Sequence, residues 1–395
     1  MRFFGAIVVA VAVAALLPAC NCGMPEGDYW GHVKDDVDPT HLHFCNSGEP
    51  QWLDPALTTS TTGIKLVYAM WDGLTKHDLH GLPEPSIATH WDISPDQRTF
   101  TFHLRKDARW SNGRPLTARD FRYHFIRILH PLTASNNTDP HWKLKNGKLF
   151  TENKLRTMLV DVGPFAKGDI VEVIEPAGSA TAPAPELTYS NERKARVDLE
   201  LRDFPGFWDW CTGDCKPFSQ PYHTVSSGDT VTIIDLKNDA EGTEWAYIHN
   251  TAGEGVYGWV PSSQLEIISQ DHADFQYKVR KVPRTQIPGL QVPMEEVATA
   301  AEEPQPEGMI KASDAMMLPD AVGIRIPDDH TLILETANPI PYMIDQSVQR
   351  AYRASPIESV SRRPLTWSKP DNGILVTSGP FHMTEWAVRD YVRMK

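Results

Sequence analysis

The chain has 395 residues, 51 of them acidic against 38 basic, for a formal net charge of −13. Nucleic acid and anionic lipid are both held by clustered Lys and Arg, so this balance argues against either as the main partner. A hydrophobic fraction of 41% with 12 Trp describes a globular chain, not a disordered one, with length for two or more cores.

Arg2 to Ala19 reads as an export signal (residues 1–19): one basic residue, an apolar run from Phe3 to Leu17, then Leu17-Pro18-Ala19-Cys20. Small Ala19 before Cys20 suits a lipoprotein signal peptidase, with Cys20 as the lipidation site. The competing reading, a membrane-spanning anchor, needs roughly 20 apolar residues, and this run is shorter and ends in Pro18. One acyl chain holds a protein only marginally, so stable anchoring implies a multiply acylated Cys20. Residues 20–40 are polar and rich in Gly, Pro and acids, as a tether between lipid and fold. Export places the remaining Cys22, Cys45, Cys211 and Cys215 in an oxidising compartment, and their number is even. Cys211-Thr-Gly-Asp-Cys215 could close a small loop, leaving Cys22 with Cys45. The spacing is wrong for a CxxC redox pair, and no second ligand pair for zinc lies nearby.

The first strand is expected at His41 to Phe44, and a helix from about Thr62 to Trp71. Thr99 to Leu104 alternates, placing Phe100, Phe102 and Leu104 on one face of a strand. Ser94-Pro95-Asp96 and Ser111-Asn112-Gly113 are the turns on either side. The clearest helix follows. Thr117 caps it with Asp120 at the third helical position, Phe121, Phe125, Ile128 and Leu129 form one apolar stripe, and Pro131 ends it. From about residue 161 to 270, short alternating strands after Gly-Asp turns predict a small β-barrel: Gly168 to Val173, Gly228 to Ile234, Trp245 to Ile248 and Tyr257 to Pro261. Residues 271–321 contain Pro283, Pro288, Pro293, Pro304, Pro306 and Pro319. They read as a partly ordered linker, with long helix and central strand excluded. Beyond it, Gly323 to Ile326 and Thr331 to Glu335 predict a hairpin around Asp328-Asp329.

Several patterns invite chemistry and do not support it. Gly253-Glu254-Gly255-Val256-Tyr257-Gly258 is a literal GxGxxG, but a strand and Pro261 follow where phosphate binding needs a helix. His41, His43 and Cys45 alternate and would share a strand face, which could present metal ligands or be a satisfied first strand. There is no HExxH and no GxSxG. No catalytic residue, metal or cofactor is expected, and the chain reads as a non-enzyme.

Five motifs in order carry a resemblance. They are Glu49-Pro-Gln-Trp-Leu-Asp-Pro55, Leu66-Val-Tyr-Ala-Met-Trp-Asp-Gly-Leu74, Thr101-Phe-His-Leu-Arg105, Ala108-Arg-Trp-Ser-Asn-Gly113 and Leu116-Thr-Ala-Arg-Asp-Phe121. Together they resemble the oligopeptide- and dipeptide-binding lipoproteins that feed ABC importers, solute-binding family 5. Asn338-Pro-Ile-Pro-Tyr342 and Thr377-Ser-Gly-Pro-Phe381 look like the same family. The resemblance implies an α/β chain of the periplasmic binding protein type II-like fold. Residues 41–160 form the first part and 322–395 the second, with an inserted barrel similar to bacterial Src-homology-3-like domains. The second large lobe of such proteins has no counterpart here, so the fold is expected to be incomplete.

The implied function is capture of extracytoplasmic peptides for an ABC permease, at the periplasm or cell surface and tethered to the membrane through Cys20. In relatives, a segment after Leu-Asp-Pro offers its main chain to the ligand. The matching positions here are Thr59, Ser60 and Thr61, with a solvated loop leading into the helix as the other reading. Asn137 stands where relatives carry a tyrosine and is a candidate pocket wall. The acid that holds a peptide's α-amino group in relatives has no counterpart. The alternative function is an envelope scaffold whose barrel binds peptidoglycan or a protein partner through Trp245, Tyr247, Tyr257 and Trp259.

Overall fold

The structure is a computed structural model, and it describes residues 46–177, 191–202, 221–239, 242–250, 255–267, 276–364, 366–369 and 375–395. The expected signal, the tether, the first strand and all five cysteines lie outside these residues, as do His41, His43, Gly253 and Glu254. Residues 50–395 form one unit, separate from 1–49. No described helix is long and apolar enough to cross a membrane.

Three antiparallel sheets organise the unit, and they are nested in sequence. The outer sheet runs in the order Ile324–Asp328, Thr331–Glu335, Thr99–Leu104, Ala88–Ile93. Its central pairing sets Phe102 opposite Leu332 and Phe100 opposite Leu334, so the parts of the chain before and after the expected barrel share one sheet. The alternation of Thr99–Leu104 has the physical basis read in the sequence: Phe100, Phe102 and Leu104 are buried while Thr99, Thr101 and His103 are half-buried. Each such side chain stabilises the fold by roughly 1.5–3 kcal/mol relative to exposure.

Helix α1 (Thr61–Met70) and helix α2 (Ala118–Leu129) belong to this layer. In α2, Asp120 accepts the Thr117 main-chain N–H at 2.9 Å, closing a capping box. The stripe Phe121, Phe125, Ile128 and Leu129 is fully buried in the same core as Phe100, Phe102, Leu332 and Leu334. Helix α1 starts on Ser60, whose hydroxyl accepts the Gly63 N–H at 3.2 Å. At its other end Gly379 donates its N–H to the Met70 carbonyl at 2.8 Å. A Cβ on Gly379 would sit 2.7 Å from that carbonyl carbon, so only glycine permits the approach.

The middle sheet corrects two expectations. Its order is Glu307–Lys311, Gln276–Lys281, Ile170–Ala177, Leu155–Met158, Ala315–Met316. The strand at 170–177, expected in the barrel, pairs instead with 276–281. The stretch expected as linker supplies strands, one of them internal to the sheet. The prolines of that stretch flank its two longer strands and do not enter them: Gln276–Lys281 ends before Pro283, and Glu307–Lys311 begins after Pro306. The innermost sheet is Tyr257–Pro261, Glu244–Asn250, Thr230–Asn238, Glu192–Ala195, Leu265–Ile267. It bulges between Ile233 and Asp235, and its core includes Val231, Ile233, Ala246, Ile248 and Val260. The strands of this sheet fall within 191–267, a narrower span than the one expected for the barrel.

One buried charge cluster ties the late chain to the early chain. Arg114 forks onto Asp120 at 2.6 and 3.2 Å and reaches Glu358 at 3.1 Å, while Asn112 donates to Glu358 at 3.0 Å. The Arg114 and Asp120 side chains are 1% and 0% exposed. A charge left without its partner at such depth is costly. Replacing Glu358 with Ala is expected to lower unfolding free energy by about 3 kcal/mol in urea denaturation. Glu385→Ala, which removes an exposed pair with Arg393, should cost under about 1 kcal/mol. Equal losses would show that the cluster does not carry this load.

Three buried histidines give the fold a pH dependence. Burial holds His124 well below its ordinary value, His130 down to about 3 and His141 down to about 4. The fold keeps these imidazoles neutral, whereas the unfolded chain takes up protons below about pH 6.5. Stability should therefore be complete above pH 6.5 and decline toward pH 4, by about 1.4 kcal/mol per pH unit for each such histidine. Urea midpoints at pH 7.5, 6 and 5 would show the decline, and His141→Phe should flatten it.

Candidate functional site

The loop from Leu53 to Thr58 is built around the Asp54 carboxylate, which is 1% exposed. Arg127 of α2 grips both its oxygens, at 2.9 and 2.6 Å. The Trp367 indole N–H donates to it at 3.1 Å and the Ala56 N–H at 2.9 Å. The Asp54 carbonyl accepts from Leu57 and Thr58 at 3.0 and 2.8 Å. Burial opposes the Arg127 charge, and the Asp54 carboxylate outweighs it, so the guanidinium is held charged. Leu-Asp-Pro is thus a fold signature whose acid closes the turn and fastens it to α2.

Asn137 fixes the next step. It is 5% exposed, and its amide N–H groups donate to the carbonyls of Ala56 at 3.0 Å and Thr58 at 3.1 Å. Ser135 also donates to Ala56, at 2.6 Å. Arg350 arrives from the late chain, its Nε donating to the Thr58 carbonyl at 2.9 Å and its Nη2 to the Asn137 Oδ1 at 2.8 Å. Three residues remote in sequence thus hold the underside of the loop.

The chain leaves this clamp at Thr59, which is exposed, followed by half-buried Ser60 and exposed Thr61. Ser60 is extended, with φ −77° and ψ 144°. Among the described residues the N–H and C=O of Thr59 and the N–H groups of Ser60 and Thr61 have no hydrogen-bond partner. The structure divides the expected edge, however. Thr59 and Ser60 precede the helix, while Thr61 is its first residue and the Ser60 carbonyl is taken by Ile64 at 2.9 Å. The open main chain is therefore a short extended step ending in the N–H of Thr61 at the start of the helix.

A sizeable cavity lies elsewhere. About 470 Å³ separates α2 from the innermost sheet, and none of Thr59, Ser60, Thr61 and Asn137 lines it. A second stripe of α2 faces it: Arg119, Arg122, Tyr123, Ile126, Arg127 and His130. This stripe has the same helical period as the core stripe and was readable in the sequence, but its mixture of charge and aromatic rings hid it. Arg122 pairs with Asp235 at 3.0 Å and Asp320 at 2.8 Å, and Lys237 shares Asp320. Trp245, Tyr247 and Trp259 are 6%, 4% and 5% exposed, and the Tyr247 hydroxyl meets Ser361 at 2.6 Å. These rings cluster with Ile234 against Tyr123 of α2, so they are not an open aromatic platform for a cell-wall polymer. Of the GxGxxG run, Tyr257–Pro261 is a strand with a short turn after it, and no helix opens there to cradle phosphate. No cluster of three or more metal-ligating side chains occurs among the described residues.

Comparison with known proteins bears on this geometry. Residues 83–191 match the family model for bacterial extracellular solute-binding proteins, family 5 Middle. A periplasmic oligopeptide-binding protein OppA of Escherichia coli is 43% identical over 128 residues, 32% of this chain and 23% of that protein. Its Haemophilus influenzae counterpart is 37% identical over 126 residues, 32% and 22% of the two chains. The oligopeptide-binding protein OppA of Bacillus subtilis is 27% identical over 238 residues, 59% and 42%. The matches thus span less than half the length of these relatives. A solved Haemophilus influenzae OppA structure aligns at TM-score 0.44 and 16% identity, covering 89% of this chain and 37% of that one. Over residues 83–191 the chain is thus similar to the bacterial extracellular solute-binding proteins of family 5.

Proposed function

We propose that this chain takes part in capturing extracytoplasmic peptides for an ABC importer, with the main chain at Thr59 to Thr61 as a contact for the ligand backbone. The carrying observation is an exposed run of unpartnered main-chain groups resting on a clamp of Asp54, Asn137 and Arg350. Recognition through main chain does not depend on ligand side chains, so one site accepts many sequences. A rigid base lowers the cost of ordering such a site when ligand arrives. Peptide is favoured over other solutes because relatives are named oligopeptide-, dipeptide- and murein peptide-binding proteins. The reading includes export and acylation at Cys20, as the sequence suggests, and delivery to permease subunits. The chain acts here as a carrier, with no reaction assigned to it.

Residues 1–395 are expected to bind trialanine and triserine with similar affinities, by isothermal titration, because main-chain pairing does not read ligand side chains. Both peptides should perturb the amide resonances of Thr59, Ser60 and Thr61. If those amides do not move at millimolar peptide, the reading fails. Asn137→Ala unpins the Ala56 and Thr58 carbonyls. It should cost about 1–3 kcal/mol of stability and speed hydrogen exchange at Leu57 and Thr58, whose N–H groups bond the Asp54 carbonyl, while the α2 amides stay protected.

A further inference from the structure

Each charged side chain in the wall of the 470 Å³ cavity is already answered. Arg119 pairs with Asp329 at 2.7 Å, Arg122 with Asp235 at 3.0 Å, Arg127 with Asp54 at 2.6 Å and Lys237 with Asp320 at 2.5 Å. Asp239 accepts the Trp245 indole N–H at 3.0 Å, and Asp328 the His330 main-chain N–H at 2.7 Å. The tyrosines of the wall divide differently. The Tyr247 hydroxyl meets Ser361 at 2.6 Å and Tyr123 at 3.4 Å. The Tyr257 hydroxyl has no hydrogen-bond partner among the described residues. Burial pushes it up to about 12, so it stays protonated and able to donate.

Apolar surface fills the space between these groups. Ile126 of α2 and Ile234 of the innermost sheet are 5% and 6% exposed. The Tyr247 ring lies 5.9 Å from that of Tyr257 and 5.2 Å from that of Trp259. The Arg122–Asp235 pair spans from α2 to the sheet and braces the two walls at a fixed separation. A volume of this size falls within the roughly 300–1,000 Å³ of small-molecule sites.

We propose that this cavity binds a neutral, flat aromatic molecule carrying one hydrogen-bond acceptor, which takes the Tyr257 hydroxyl. Peptide capture is not required for this, since none of Thr59, Ser60 and Thr61 lines the cavity. An ion entering would shed water with no free counter-charge to meet, or would have to break a standing pair. A flat neutral ring carries no such penalty and gains edge and face contacts with Tyr257 and Trp259. An acceptor on that ring finds a donor with no competing partner among the described residues.

The test follows the Ile126 and Ile234 methyl and Trp259 indole resonances of the full chain during titration with quinoline, naphthalene, N-methylquinolinium and naphthoate at neutral pH. Quinoline, neutral and with its ring nitrogen as acceptor, is expected to shift these resonances with Kd below about 50 µM. Each charged analogue should bind at least about tenfold more weakly. Tyr257→Phe removes a hydroxyl without an internal partner, so the fold should survive it. In that variant the affinity for quinoline relative to naphthalene, which has the same shape and no acceptor, should fall about tenfold. An unchanged ratio would overturn the hydrogen bond to Tyr257, and with it the site as assigned. So would quinoline that leaves all three reporters unmoved at about 1 mM, or an ion that binds as tightly as quinoline. Those last two outcomes are read in the wild type and do not depend on the variant folding. None of them bears on peptide binding at Thr59 to Thr61.

Discussion

The arrangement described here depends on the Asp54 carboxylate being held out of water. Its two oxygens take a guanidinium from α2 and an indole N–H from the late chain, while its own loop donates from Ala56. A buried carboxylate persists only when donors surround it, and here the donors come from three separate stretches of sequence. Meeting that need draws the stretches together. The Leu53–Thr58 loop, α2 and Trp367 become mutually fixed, and the exposed step at Thr59 inherits their rigidity.

The same logic recurs in two further places. Arg114 draws Asn112, Asp120 and Glu358 into one cluster, and Arg350 draws Thr58 and Asn137 into another. In each case a residue at or beyond 350 meets residues before 140. The late chain is therefore structural for the early one, through polar contacts as well as the shared sheet. Gly379 against the end of α1 makes the same connection by steric fit. Family-like sequence on both sides of an intervening region is what this cooperation requires.

The sequence was most readable where one physical rule acts alone. Helix α2 follows from a cap, an apolar period and a terminal proline, and strand Thr99–Leu104 follows from simple alternation. The sheet at 276–281 was missed because proline density was treated as spread over the segment, whereas its effect is confined to the residues beside each ring. Asn137 was read from a family position, and its clamping role stayed hidden because its amide is taken by carbonyls of a loop far away in sequence. Nothing periodic marks such a residue, and its partners exist only after folding. Arg350 escaped for the same reason, since Thr58 and Asn137 are equally remote from it in sequence.

Nesting one sheet inside another has a kinetic consequence. The outer sheet closes only when residue 332 reaches residue 102, whereas the innermost sheet pairs strands within 191–267. Closing a loop costs entropy that rises by about 0.6 kcal/mol for each doubling of its length, and chains dominated by distant pairings assemble slowly. Each inner sheet, once formed, brings the ends of its own segment together and shortens the span the next layer must close. Assembly from the centre outward thus becomes the low-entropy route. During synthesis the Thr99–Leu104 strand, rich in aromatic residues, waits with an open edge until its partner is made, and that interval is when a chaperone would matter most to this chain.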